Sequence, residues 1–155
     1  MRSLATILLL FLMTQLAHAQ LNRWSFDDLD SLQAVEERDV MVFLKADWCR
    51  YCKVMENSVF QDESISRELN ESYWLVTFDG ESERPVSFLG KTYQFRPTGL
   101  KTGIHELAGY LGEIDGKIAF PTLVVLKPEG EIVFQYSSFL NKKQMLLLMR
   151  ELAAR

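Results

Sequence analysis

The spacing of apolar residues changes several times along this chain, and each change marks an element. Ser25 with Asp28 three residues later has the form of a capping box, and Phe26, Leu29, Leu32 and Val35 follow at helical spacing. A first helix running to about Glu37 is expected. Val40 to Lys45 opens with five apolar residues in a row, the length and composition of a buried central strand. Helical spacing resumes at Cys49, with Val54, Met55 and Val59 as its apolar positions. Asp62 is placed to cap a second helical piece through Ile65 and Leu69. Tyr73 to Asp79 alternates and is aromatic and β-branched, as a strand is.

Gly80 to Gly116 is less regular. Pro85 to Phe95 predicts two short strands turning at Gly90, and Thr102 is expected to cap a helix through Ile104, Leu107, Ala108 and Leu111, ended by Gly112. Phe120-Pro121-Thr122 then leads into an apolar strand, Leu123 to Leu126. Lys127-Pro128-Glu129-Gly130 turns the chain back into Glu131 to Tyr136, a hairpin. Asn141 with Gln144 opens a last helix whose Met145, Leu148, Met149 and Leu152 share one face. The order α-β-α-α-β-(β-β-α)-β-β-α predicts an α/β fold, a mixed sheet covered by helices on both faces.

The amino end differs in kind. Met1-Arg2 precedes an apolar stretch from Leu4 to Ala17, and Ala17-His18-Ala19 has the small-x-small form of a cleavage site. Residues 1–19 are therefore expected to be a secretory signal peptide, with Gln20 as the new terminus. The alternative is an uncleaved anchor, but the stretch falls short of the ~20 apolar residues that span a bilayer. No cysteine stands near the cleavage site, which excludes a lipoprotein. Removal leaves residues 20–155, enough for one core and too few for two ordinary domains. Losing Arg2 takes the net charge from −4 to about −5, which argues against nucleic acid and anionic membranes as partners.

The chain's two cysteines are Cys49 and Cys52, in Trp48-Cys49-Arg50-Tyr51-Cys52-Lys53. So close a pair closes a tiny loop and constrains the unfolded chain little, so chemistry explains it better than stability. At a helix start the first thiol is favoured as a thiolate, the form that attacks disulfides. A zinc site would need about two further ligands, and beyond the signal only His105 is on offer. A Cu(I) chaperone needs just the two thiolates, but no methionine or histidine cluster accompanies them. His105, alone on its segment, is expected to be a solvated or hydrogen-bonded histidine.

Ala46-Asp47-Trp48-Cys49-Arg50-Tyr51-Cys52-Lys53 together with Phe120-Pro121-Thr122-Leu123 resembles the thioredoxin superfamily. The resemblance runs from about Trp24 to Arg155, with residues 80–116 as an insert between the two motifs. Within the superfamily the likeness is to exported reductants, the carboxy-terminal thioredoxin domain of DsbD and the SoxW-type periplasmic thioredoxins. It implies a thioredoxin fold with no cofactor beyond a redox-active Cys49–Cys52 disulfide. It also implies that Cys49 attacks and that Cys52 resolves from a more buried position. Pro121 would be cis, Phe120 would offer its backbone to a substrate strand, and Trp48 would touch substrate, with core packing as the alternative for Trp48. Arg50 and Tyr51, between the cysteines, would tune the potential, Arg50 by favouring the Cys49 thiolate.

One departure stands out. Ordinary thioredoxins bury an aspartate six residues before the attacking cysteine, and here that residue is Phe43. Glu56, four after Cys52, is the best replacement as proton acceptor, since i and i+4 share a helix face. Lys45, in the place of an aromatic residue, favours a thiolate or is a snorkelled surface lysine. The function expected is a periplasmic thiol–disulfide oxidoreductase, a monomer that reduces protein disulfides and is recharged by a membrane electron donor. An oxidase or isomerase of the same fold is the alternative, and a redox-inactive binding module is the other.

Overall fold

Ser25 and Asp28 close the first turn: the Asp28 carboxylate accepts from the Ser25 amide at 2.8 Å and its hydroxyl at 2.7 Å. In this computed structural model, which describes residues 20–154, that turn is a 3-10 turn, Phe26–Asp28. The segment expected to be a signal peptide lies outside the described residues. The turn runs into α1 (Leu29–Val35), which stops short of Glu37. β1 (Asp39–Lys45) follows, and α2 (Arg50–Val54) starts immediately after Cys49. At Met55–Val59 the helix widens into one π turn, closed by a 2.9 Å bond from the Phe60 amide to the Met55 carbonyl. Asp62 caps α3 (Glu63–Ser72) through the Ser64 and Ile65 amides and pairs with Lys142 at 3.2 Å. The Ser64 and Lys142 hydrogen bonds hold its pKa down to about 2. β2 (Tyr73–Asp79) has the bounds its alternation predicts.

The insert holds more strand than expected. β3 (Val86–Phe88) and β4 (Lys91–Tyr93) form the predicted hairpin, turning through Leu89 and Gly90 at positive φ. A second hairpin, β5 (Phe95–Pro97) with β6 (Gly103–His105), takes residues expected to be helical. Thr102 therefore caps nothing. His105 caps α4 (Glu106–Gly112) instead, because Gly103 and Ile104 are committed to the pairing with Pro97 and Arg96. β7 (Glu113–Ile114) and β8 (Lys117–Ile118) make a further small hairpin, unforeseen at two residues each. β9 (Thr122–Leu126), β10 (Ile132–Tyr136) and α5 (Lys142–Ala153) complete the chain. α5 opens on the predicted Asn141–Gln144 box, with reciprocal bonds of 2.9 and 3.0 Å.

The main sheet has the order β10-β9-β1-β2, with β1 parallel to β2 and antiparallel to β9. Strand alternation divides β1 between two cores. Met41 and Phe43 face α2, α3 and α5, together with Leu75, Leu123 and Val125. Val40, Val42 and Leu44 face α1, α4 and the insert, where Val86, Phe88, Tyr93, Leu107 and Leu111 are buried. Lys45 lies opposite Asp79, and Leu44 opposite Thr122. The loops after β1 and β2 and the segment before β9 therefore meet at one end of the sheet.

His105 is completely buried in the second core, its ring edge-on to Phe78 at 5.0 Å between centroids. Burial disfavours the charged ring and moves its pKa below the ordinary histidine value, against opposing pulls from the Arg84 carbonyl and Glu106. The unfolded chain then binds the proton more readily than the folded one. The stability His105 contributes is whole above about pH 6.5, the unfolded value, and is lost as the pH falls through the lower folded value. Urea unfolding of the wild type should thus show falling stability from pH 7 to 5. A His105→Gln variant should flatten that dependence, and equal slopes for the two proteins would contradict the assignment.

Candidate active site

Cys49 ends the loop after β1 in an extended conformation, and its amide donates to the Ala46 carbonyl at 3.0 Å. As the cap of α2, its Sγ accepts the Cys52 amide at 3.0 Å. The amide thus points at the sulfur that would carry negative charge in the reduced protein. Cys49 and Cys52 form a disulfide, with Cα atoms 5.3 Å apart. Cys52 is the more buried, but only slightly: the two are 1% and 3% exposed. Among the described residues no group of three or more His, Cys, Asp or Glu could hold a metal ion, and no helix is long and apolar enough to cross a membrane.

Pro121 is buried, and the Phe120–Pro121 peptide is cis, as the resemblance implied. Trp48 is 66% exposed, which rules out a core role. Its ring meets Phe120 edge-on at 6.2 Å, and its Nε1–H donates to Glu81 at 2.9 Å. Tyr51 is likewise exposed and tilts against Phe139 at 5.9 Å. Tyr51, Phe120, Pro121, Tyr136 and Phe139 line an open groove of about 580 Å³, together with Ser137, Ser138, Asn141 and Gln144. Arg50 is exposed at the first position of α2.

The core cluster that buries the dithiol also holds Phe43 and Phe60. Phe43 is fully buried and meets Phe60 edge-on at 5.0 Å, where a thioredoxin would hold its acid. Glu56 stands in the π turn rather than in α2, so the four-residue spacing from Cys52 no longer follows ordinary helical winding. Its Oε1 lies 3.4 Å from Arg23 Nη1 and 3.5 Å from Lys45 Nζ. Lys45 is thereby placed as the partner of Glu56, and Arg23 also covers the Phe60 ring at 5.5 Å.

Sequence reasoning missed Gly80 and Glu81, which follow β2 at the same end of the sheet. Gly80 donates to the Lys45 carbonyl at 2.8 Å and presses on Phe120: a Cβ there would stand 2.3 Å from Phe120 Cζ. The available signal was topological, since a strand parallel to β1 must also end beside the cysteines. Gly80→Ala should force the Phe120 ring out of place and cost about 1–3 kcal/mol, as overpacking does. Chemical denaturation checks this, and an unchanged midpoint would mean that the contact is slack.

No curated protein sequence matches the chain. Among solved structures it is similar to a thioredoxin from Thermus thermophilus, 22% identical, with a TM-score of 0.61 over 86% of this chain and 88% of that one. It is similar also to a DsbH oxidoreductase, 16% identical, with a TM-score of 0.61 over 91% and 90%. A disulphide isomerase from Xylella fastidiosa follows at 12% identity and a TM-score of 0.55, over 82% and 86%. These likenesses establish the fold. A family model described as a thioredoxin-like domain matches residues 26–153 and takes in the dithiol, Pro121 and the insert. With Cys49 and Cys52 at disulfide distance within that match, the chain belongs to the thioredoxin-like family and is a thiol–disulfide oxidoreductase.

Proposed function

We propose that the protein is exported to the bacterial periplasm and works there, as a monomer, to reduce protein disulfides. The observation that carries the reading is the surface around the dithiol. Trp48 and Tyr51, next to the cysteines in the chain, are exposed. Trp48 meets Phe120, and Tyr51, Phe120 and Pro121 line one open groove, which supports a site for an extended polypeptide. The export half of the proposal is supported by the charged, apolar and small-residue pattern of residues 1–19.

In the reduced protein the Cys49 thiolate attacks one sulfur of a substrate disulfide. That S–S bond breaks, one substrate sulfur leaves as a thiolate and takes up a proton, and a mixed disulfide joins substrate to Cys49. Cys52 gives up its proton and attacks Cys49 Sγ. The second substrate thiol departs, and the Cys49–Cys52 disulfide of this structure is left. Two electrons have moved to the substrate, and a membrane donor must return two to the protein. As acceptor of the Cys52 proton we propose Glu56, the acid of the turn that directly continues α2; its ion pairs are with Arg23 and Lys45.

Insulin reduction tests the reading directly: the wild type should be active, and Cys49→Ser should fall to the uncatalysed background. Cys52→Ser should stall at the mixed disulfide and carry its client on Cys49 through a non-reducing gel. The potential should lie nearer thioredoxin's about −270 mV than DsbA's about −120 mV. A value near the latter, with oxidation of model dithiols, would make the protein an oxidase instead. Inactivity of the wild type towards every disulfide tried would favour a binding module.

A further inference from the structure

One residue of the insert grips both ends of the loop that shapes the dithiol's surroundings. The His105 amide donates to the Gly80 carbonyl at 2.8 Å, and the far nitrogen of its ring, Nε2, lies 3.1 Å from the Arg84 carbonyl. The near nitrogen, Nδ1, accepts from the Leu107 amide at 3.1 Å. An amide can only donate and a carbonyl can only accept, so the network dictates the tautomer: Nδ1 bare, Nε2 protonated. A doubly protonated ring would turn a donor towards the Leu107 amide. The charged residues adjoining it are Glu106, tied to the Gln94 amide and Arg96, and Arg84, paired with Asp27.

Between its two gripped ends the loop has internal bonds. Asp79 accepts from Glu81 at 3.0 Å through its carboxylate and from Ser82 at 3.1 Å through its carbonyl, and the Arg84 amide reaches Ser82 Oγ at 3.3 Å. The loop meets the site twice, through Glu81 on the Trp48 indole and through Gly80 on the Phe120 ring. We infer that His105 is a positioning residue: by holding the Gly80–Arg84 loop at both ends it fixes Trp48 and Phe120 as the docking rim for a protein substrate. The inference rests on the reading above that these two aromatics receive the substrate. It gives the insert a part in recognition, with no contact between His105 and the dithiol required.

The test separates clamp from cap. Asparagine at 105 keeps an acceptor for the Leu107 amide but is too short to reach Arg84, whereas glutamine carries an Nε2 donor that can reach it. His105→Asn should shift the Trp48 indole N–H resonance, identified by its loss in Trp48→Phe. It should also raise KM for insulin roughly 5–10-fold with kcat within about 2-fold, the mark of weakened binding rather than chemistry. Turnover of glutathione disulfide, too small to need the rim, should be unchanged. His105→Gln should restore the resonance and KM, and His105→Asn should add nothing to a Glu81→Ala background if both act through Trp48. A His105→Asn protein with the wild-type resonance and KM would overturn the inference, whatever its melting temperature, because the histidine would then be only a helix cap. Should that variant not fold, His105→Gln with a displaced indole resonance would overturn it equally. So would nitrogen spectra of the wild type that put the proton on Nδ1 or on both ring atoms at pH 7. If the wild type reduces no protein disulfide, the proposed function fails by itself, and the indole resonance still decides whether His105 positions Trp48.

Discussion

β1 is covered on both faces, and its pairing on both sides is what assembles the site. Its alternating side chains are divided between two cores, so a slip of one residue against β2 or β9 would send Met41 and Phe43 towards the insert and Val42 towards the disulfide. Neither core would accept the exchange without voids and clashes. The register is therefore fixed by packing, and with it the meeting of three chain segments at one end of the sheet. Cys49 comes from the loop after β1, Gly80 and Glu81 follow β2, and Phe120-Pro121 precedes β9. The chemistry is local to the cysteines, but its surroundings are a property of the sheet.

The Phe43–Phe60 pair, in the cluster that buries the dithiol, belongs to the same constraint. Phe43 fills with carbon the place where a thioredoxin keeps a carboxylate, and Phe60 closes on it edge-to-face. Charge is moved to the rim of that core, where Arg23, Lys45 and Glu56 form a partly exposed cluster. An ionised acid buried under the disulfide would have to be solvated by the protein, and a phenyl ring carries no such cost.

Much of this was legible in the sequence where a physical signal is strong and local. The five-residue apolar run, the alternation of Tyr73 to Asp79, the Asp62 cap and the Asn141–Gln144 box each specify an element through one interaction, and each element formed. The two cysteines and Pro121 were legible as motifs: the cysteines form a disulfide, the Phe120–Pro121 peptide is cis, and Trp48 meets Phe120. What escaped was short or ambiguous in period. Three-residue strands such as β5 and β6 carry no readable alternation, so their pairing displaced the helix start expected at Thr102. Val54, Met55 and Val59 satisfy ordinary and π winding alike, which hid the turn that carries Glu56. Glu81 and Phe139 have no local motif, and only the tertiary fold makes them neighbours of Trp48 and Tyr51.

The burial of the insert has a consequence for motion. Val86, Phe88, Tyr93, Leu107 and Leu111 are interior residues of the second core, packed against the same strand that leads to Cys49. The Gly80–Arg84 loop is strung between β2 and β3, both packed in that core, so its ends are tied to buried strands while Glu83 and Arg84 stand exposed. The segment that touches Trp48 and Phe120 is thereby anchored to the interior at both ends. Under the proposed function, a partner would meet a rim anchored at both ends, which limits the binding free energy spent on ordering it.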